Sequence, residues 1–136
     1  MFRTMLIEDN PTFRELVKIN MQSQFPSMDI IEAKDGKEAL ERIDSFPPNL
    51  IFMDIRLPGQ NGLELTKKIK AEHPDIIIII LTSYNLPEYR EAATQHRADY
   101  FLLKDSIATG ELDTLVKSVL SEKGFHPDGS GDGEAS

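Results

Sequence analysis

Four separated polar positions, Glu8 with Asp9, Asp54, Thr82 and Lys104, each come directly after a short apolar run. The runs are Met5-Leu6-Ile7, Leu50 through Met53, Ile76 through Leu81 and Tyr100 through Leu103, and each reads as a buried strand. If these strands lie parallel in one sheet, all four ends open onto the same edge. Ligands of open α/β sheets bind there, in the crevice outside the carboxyl ends of the strands. Three carboxylates, a hydroxyl and an ammonium at that edge suit a hard divalent cation and a phosphoryl group. A carboxylate can attack phosphorus and form an acyl phosphate, provided a cation offsets its repulsion with the incoming anion. Magnesium takes oxygen ligands and keeps several waters, so the carboxylates of Asp9 and Asp54 can supply the protein share. The Thr82 hydroxyl and Lys104 ammonium would then meet the remaining phosphoryl oxygens.

Each residue also has a plainer reading. Glu8-Asp9 before a helix could serve as a cap and dipole partner. Asp54 could form a turn, Thr82 could cap the next helix, and Lys104 could be a solvated surface cation. Taken singly these are sound. Taken together they leave unexplained why the first, third, fourth and fifth strand ends all carry complementary polar groups.

The elements that must position these residues alternate along the chain. Asn10-Pro11 supplies an N-cap and a proline at the first helical position, and Phe13, Leu16, Val17 and Met21 follow at helical spacing. Met28 to Ala33 reads as the second strand, Asp35-Gly36 as a turn, and Ala39, Leu40 and Ile43 as the stripe of a second helix. Phe46-Pro47-Pro48-Asn49 stops that helix, because proline cannot continue it. Asp54 to Asn61 is a loop, and Leu65, Thr66 and Ile69 mark a third helix closed by His73-Pro74. The run Ile76 to Leu81 lacks polar alternation, as a central strand covered on both faces should. A fourth helix is expected from Pro87 to about His96 with thin apolar content, Tyr89, Ala92 and Ala93. Leu112, Leu115, Val116 and Val119 form the stripe of a fifth. Five successive βα units predict a doubly wound, five-stranded parallel sheet with helices on both faces. Residues 1–123 form the expected domain and 124–136, rich in Gly, Asp and Ser, a flexible tail or linker stub.

Composition narrows the functional classes. At 136 residues the chain holds one domain. Fifteen basic against 23 acidic residues give a net charge of −8, which argues against a phosphate-backbone footprint and direct nucleic-acid contact. No cysteine is present, so thiolate metal sites and disulfides are excluded, and the absence fits a reducing cytoplasm. The start lacks signal-peptide character and the longest apolar run is far short of the roughly 20 residues that span a bilayer. The expectation is a soluble cytoplasmic protein.

The ordered set Leu6-Ile7-Glu8-Asp9-Asn10, Met53-Asp54-Ile55-Arg56-Leu57-Pro58-Gly59 with Asn61-Gly62, Leu81-Thr82-Ser83 and Ala98-Asp99-Tyr100-Phe101-Leu102-Leu103-Lys104 resembles the receiver domain of bacterial two-component response regulators, from residue 3 to about 122. The resemblance implies the flavodoxin-like (βα)5 fold and phosphorylation of Asp54 by a partner histidine kinase or phosphotransfer protein. It also implies Mg2+ held by Asp9, Asp54 and the backbone carbonyl of Arg56, with Glu8 acting through water. Thr82 and Lys104 match the positions that assist the chemistry, and Thr82 and Phe101 those of the family's switch. A receiver is a phosphoacceptor and not an enzyme, beyond slow self-phosphorylation from small donors and self-dephosphorylation. A phosphorylation-dependent homodimer is a further partner that the resemblance implies.

Two positions depart from the family's pattern. Asp105 stands where many receivers have proline, which puts the cis peptide common there in doubt. Lys-Asp is familiar in receivers that resemble those of helix-turn-helix regulators with a C-terminal DNA-binding domain. Arg97 stands where glycine is common. Other classes fit less well: Asp-nucleophile phosphohydrolases place a second Asp where Arg56 stands, and a nucleotide-binding module would want a Gly-rich turn after the first strand. A receiver-like interaction scaffold that works without phosphorylation is the remaining alternative.

Overall fold

The computed structural model describes residues 2–124, and the tail or linker expected at 124–136 lies, beyond Gly124, outside the described residues. The strands β1 (Arg3–Ile7), β2 (Asp29–Ala33) and β3 (Leu50–Met53) alternate with helices α1 (Pro11–Gln24) and α2 (Gly36–Ser45). Two-residue strands β4 (Arg56–Leu57) and β5 (Gln60–Asn61) follow, then α3 (Gly62–Glu72), β6 (Ile77–Thr82), α4 (Pro87–Gln95), β7 (Tyr100–Leu103), α5 (Ser106–Thr109) and α6 (Glu111–Glu122). Five strands make one parallel sheet in the order β2-β1-β3-β6-β7. The chain switches direction across β1 and β3, which opens the crevice at their carboxyl ends.

Why the sheet is buried on both faces follows from its residues. Alternate side chains of one strand feed two separate apolar layers. Met5, Ile7, Ile51, Met53, Ile78 and Ile80 face α2, α3 and α4. Leu6, Leu50, Phe52, Ile79 and Leu81 face α1 and α6, whose Val17, Met21, Val116 and Val119 cover them. Each such fully buried side chain contributes about 1.5 to 3 kcal/mol of transfer free energy, and both layers depend on the parallel register. Among the described residues no helix is long and apolar enough to cross a membrane.

Several expectations need correction in detail. The segment from Asp54 to Asn61, read as a plain loop, contains the β4/β5 antiparallel hairpin, closed by Gly59 at φ 70°. The last helix is preceded by a separate short helix, α5, because Gly110 adopts φ 81° and turns the chain between them. Thr82 is the last residue of its strand and does not lie beyond it. Leu16, placed on the buried stripe of α1, is 50% exposed, because the sheet is met by the Val17 and Met21 side of that helix. No cis peptide occurs among the described residues, so the Lys104–Asp105 bond is trans.

Arg97 is the one described non-glycine residue with positive φ, at 69°. It ends α4 in a left-handed turn, with the N–H of Arg97 donating to Thr94 and that of Ala98 to Ala93. A side chain bearing Cβ costs about 1 to 2 kcal/mol in that conformation, and glycine avoids the clash at some cost in chain entropy. Arg97→Gly is therefore expected to stabilise the domain by roughly 1 kcal/mol, read as a higher midpoint in urea unfolding, and a lower midpoint would contradict the strain.

Candidate functional site

The parallel register sets the first two carboxylates side by side. Ile7 pairs with Met53, and Met53 with Ile80, so Glu8 and Asp54 leave the sheet at one level. The ladder continues one residue beyond each strand: Glu8 N–H donates to the Ala33 carbonyl at 3.0 Å and Asp54 N–H to the Ile7 carbonyl at 3.1 Å. On the far side, Lys104 N–H donates to the Thr82 carbonyl at 2.8 Å, which aligns the end of β7 with that of β6. The five positions singled out from the sequence all occupy this edge.

The plainer readings do not survive the geometry. Asn10 caps α1, its side chain accepting from Thr12 and Phe13 N–H, and no acidic residue lies in the first turn. Glu8 is instead buried, at 2% exposure, and accepts the Asn10 N–H. Asp54 is buried as well. Thr82 does not cap α4, whose N-cap is Leu86, although its hydroxyl accepts the Tyr84 N–H at 3.2 Å. Lys104 is no free surface cation: its Nζ lies 2.9 Å from Glu8 Oε1 and 3.4 Å from Asp54 Oδ2, above the Phe13 ring at 4.4 Å from the centroid.

Carboxylate oxygens of Glu8, Asp9 and Asp54 all lie within 4.8 Å of one another, with Asp9 exposed at the mouth. Three carboxylates against one ammonium leave a deficit of positive charge, which suits a hard divalent cation with oxygen ligands. A second group with such spacing, Asp44, Glu72 and His73, gathers residues from the C-terminal ends of α2 and α3 and has no comparable strand-end frame. Gly62 shapes the loop beside the first group, because a Cβ there would overlap the Asp54 carbonyl oxygen.

Burial pushes the Glu8 carboxyl above its ordinary value, opposed by the Lys104 hydrogen bond. Burial disfavours charge on Lys104 too, but its partners Glu8 and Asp54 outweigh this and hold the ammonium above its ordinary value. The Arg56 guanidinium is likewise raised, first by the Tyr89 side chain and then by Tyr84. It lies 4.0 Å from the centre of the Tyr84 ring.

Some participants were not visible as such. Phe13 reads as a core residue and proves to be the floor beneath Lys104. Arg14 donates to the Glu8 carbonyl at 2.7 Å and thereby orients the acidic turn. Lys70, at 6% exposure, reaches Asp99 at 2.8 Å and the Ile76 carbonyl at 2.8 Å, near the start of β6 and so opposite the site. Its signal in the sequence is a lysine four residues after Thr66 on the buried face of α3.

Residues 4–117 match the model of the response regulator receiver domain. The chain belongs to that family. Among curated relatives, the transcriptional regulatory protein HptR of Staphylococcus aureus is 39% identical over 127 residues, which is 90% of this chain and 50% of that protein. LnrK of Bacillus subtilis is 31% identical over 121 residues, 89% of this chain and 53% of that protein. The chain spans about half the length of such relatives. Among solved structures, the response regulator TrrA of Thermotoga maritima in complex with Mg(2+)-BeF superposes with a TM-score of 0.78 at 35% identity, covering 88% of this chain and all of that one. A LuxR-family DNA-binding response regulator from Staphylococcus aureus gives 0.72 at 28% identity, covering 88% and 98%. This receiver shares the five-stranded fold with a CheY-like domain from Methanospirillum hungatei as well, at a TM-score of 0.80.

The charge arrangement makes stability depend on pH in a definite direction. A carboxyl whose pKa is raised on folding binds its proton more tightly in the native state, so stability falls as pH climbs from the ordinary value of 4.5 through the raised one. Lys104→Met removes the partner that moderates this shift and leaves Glu8 buried without its cation. With divalent metal chelated, the variant is expected to lose about 3 kcal/mol at pH 7 and progressively less towards pH 4.5, measured by urea unfolding. A loss that does not vary with pH would contradict the pairing.

Proposed function

We propose that this receiver accepts a phosphoryl group on Asp54 from a phosphohistidine of a partner kinase or phosphotransfer protein and thereby switches a protein-interaction surface. The supporting observation is the Lys104 ammonium between buried Glu8 and Asp54, with Asp9 beside them at the open edge of the sheet. In the transfer, an Asp54 carboxylate oxygen forms the new bond to phosphorus while the phosphorus–nitrogen bond breaks, and the departing imidazole nitrogen keeps the electron pair. Lys104 stays within reach of both the acceptor oxygen and the transferred group, and the Thr82 hydroxyl is available to a phosphoryl oxygen at the same edge.

Mg2+ fits the excess of carboxylate oxygen, and Asp9, Asp54, the Arg56 backbone carbonyl and, through water, Glu8 are the residues that would hold it. When bound it supplies neutralisation of charge on the phosphoryl oxygens. The TrrA structure with Mg(2+)-BeF, at 35% identity, supports this assignment by likeness. No group on this chain is assigned a turnover role beyond slow self-phosphorylation and self-dephosphorylation.

A phosphoryl group adds about −1.5 to −2 charge. Its different contacts with Thr82 and Lys104 in the two states supply the free-energy difference that a switch requires. Thr82 and Phe101 are the proposed switch residues, and the face of α4, β7 and α6 the surface that changes, for a homodimer or another partner. The likeness to LuxR-family and other transcriptional regulators, and the half-length match to them, support placement as the front of a helix-turn-helix regulator in the cytoplasm. Nucleic-acid contact then falls to another domain, in keeping with the charge of −8 on this chain.

The phosphoacceptor assignment has a direct test. Incubation with Mg2+ and a small phosphodonor is expected to add one phosphoryl group to the wild type and none to Asp54→Asn, read by intact mass. Equal labelling of the variant would overturn the assignment, and no labelling of either would favour the scaffold that works without phosphorylation.

Lifetime of the acyl phosphate depends on access of water in line with the Asp54–phosphorus bond. Arg56 and Tyr84 stand two residues beyond Asp54 and Thr82, and they are already stacked on each other. Together they shield that approach, and the guanidinium can bind phosphoryl oxygens through two N–H groups. Self-dephosphorylation is therefore slow. Replacing both residues with alanine is expected to speed loss of the label by about tenfold, equivalent to roughly 1.4 kcal/mol of barrier, and an equal or slower loss would refute the shielding.

A further inference from the structure

Helix α4 is the least anchored long element of the domain. Of its nine residues only Ala93 is buried, its N-cap Leu86 makes no side-chain capping bond, and it runs into the left-handed Arg97. Side-chain contacts therefore have an unusual share in holding it. Arg90 donates to Asn85 and covers the Phe101 ring, and His96, at the end of the helix, lies 3.3 Å from Glu64 of α3. Tyr89 and Ala92 pack, partly buried, against the core, and a further tie comes from across the site, from Arg56.

Three side chains from three segments form this tie. Arg56 lies in the short strand β4 after β3, Tyr84 in the loop after β6, and Tyr89 in the first turn of α4. The guanidinium lies over the Tyr84 ring, 4.0 Å from its centre, and the Tyr84 and Tyr89 rings meet edge to face at 6.4 Å, so a stack of three side chains joins Arg56 to α4. Arg56 stands two residues beyond Asp54, and Tyr84 two beyond Thr82. A guanidinium binds a phosphoryl dianion through paired, charge-assisted hydrogen bonds, which are stronger than its contact with an aromatic ring. One guanidinium cannot fully serve both.

We infer that Arg56 is a latch, which ties α4 through Tyr84 and Tyr89 while Asp54 is free and releases it when the guanidinium turns to the phosphoryl oxygens. This rests on Asp54 being the phosphoacceptor, and it adds the residue by which the loaded site reaches α4. Linkage makes the effect reciprocal: whatever draws α4 away from Arg56 frees the guanidinium for the phosphoryl group and favours the loaded state. A partner that binds displaced α4 would thus prolong phosphorylation without touching Asp54.

The test compares amide hydrogen exchange across 87–95 in the wild type, Arg56→Ala and Tyr84→Leu, each with and without Mg2+ and beryllofluoride. Tyr84→Leu keeps an apolar side chain beside Tyr89 and removes the ring beneath the guanidinium, so it separates loss of the stack from loss of fold. Both variants are expected to exchange about threefold faster over α4 without ligand, with α1 and α3 unchanged. Ligand should bring the wild type to that same rate and add little in the variants. Wild-type rates over α4 in both ligand-free variants would overturn the latch, as would a full ligand response in Arg56→Ala. Intact-mass labelling of the wild type, run in parallel, separates the two failures. A labelled protein with unaltered variants rejects the latch alone, whereas an unlabelled one rejects the phosphoacceptor reading and the latch with it.

Discussion

A single ammonium shared by two buried carboxylates is the interaction on which the site depends. Lys104 meets Glu8 at 2.9 Å and Asp54 at 3.4 Å, and these residues lie at the ends of β7, β1 and β3, far apart in sequence. Unit charges at such distances interact by about 5 to 6 kcal/mol at an effective dielectric constant near 20, against several kcal/mol per ion for removal from water. The balance holds only where the frame is rigid. The two apolar layers and the continuation of the backbone ladder through Glu8 and Asp54 supply that rigidity. With Asp9 alongside, the edge still has more negative than positive charge, so it is prepared for a cation and not for an anion alone.

That imbalance connects chemistry with switching. A receptive edge must change its contacts when charge arrives, and both buried and solvent-facing residues border this one. Thr82 is wholly buried at the end of β6, whereas the Arg56 side chain is exposed and lies over the Tyr84 ring. In the proposed switch, Thr82 would report the phosphoryl group through the sheet and Arg56 through solvent-facing side chains to α4. The thin apolar anchoring of α4 makes it the element able to move at small cost.

What was legible in the sequence follows from the range of the interactions involved. The five main strands and the helices covering them were readable because apolar runs and helical stripes are local signals, and the parallel sheet followed from their alternation. The acidic turn, Asp54, Thr82 and Lys104 were readable as a set because strand ends converge once the sheet is parallel. The β4/β5 hairpin was not, since two-residue strands carry no periodicity, and the break at Gly110 hides inside an otherwise helical stretch. Leu16 shows a limit of stripes: its spacing fits the helix, but only the docked orientation decides which flank meets the sheet. Lys70 with Asp99, Phe13 beneath Lys104, and Tyr84 against Arg56 depend on long-range contact and become visible only with the fold.

The claim that cation and phosphoryl group together complete an under-neutralised edge is tested most directly by calorimetric titration with Mg2+, in the presence and absence of beryllofluoride. The account predicts weak binding of Mg2+ alone, because few protein ligands leave the ion largely hydrated. It predicts markedly tighter binding with the phosphoryl mimic, and loss of both in Asp9→Ala and Asp54→Ala. Binding that is unaffected by those substitutions, or that gains nothing from beryllofluoride, would contradict it.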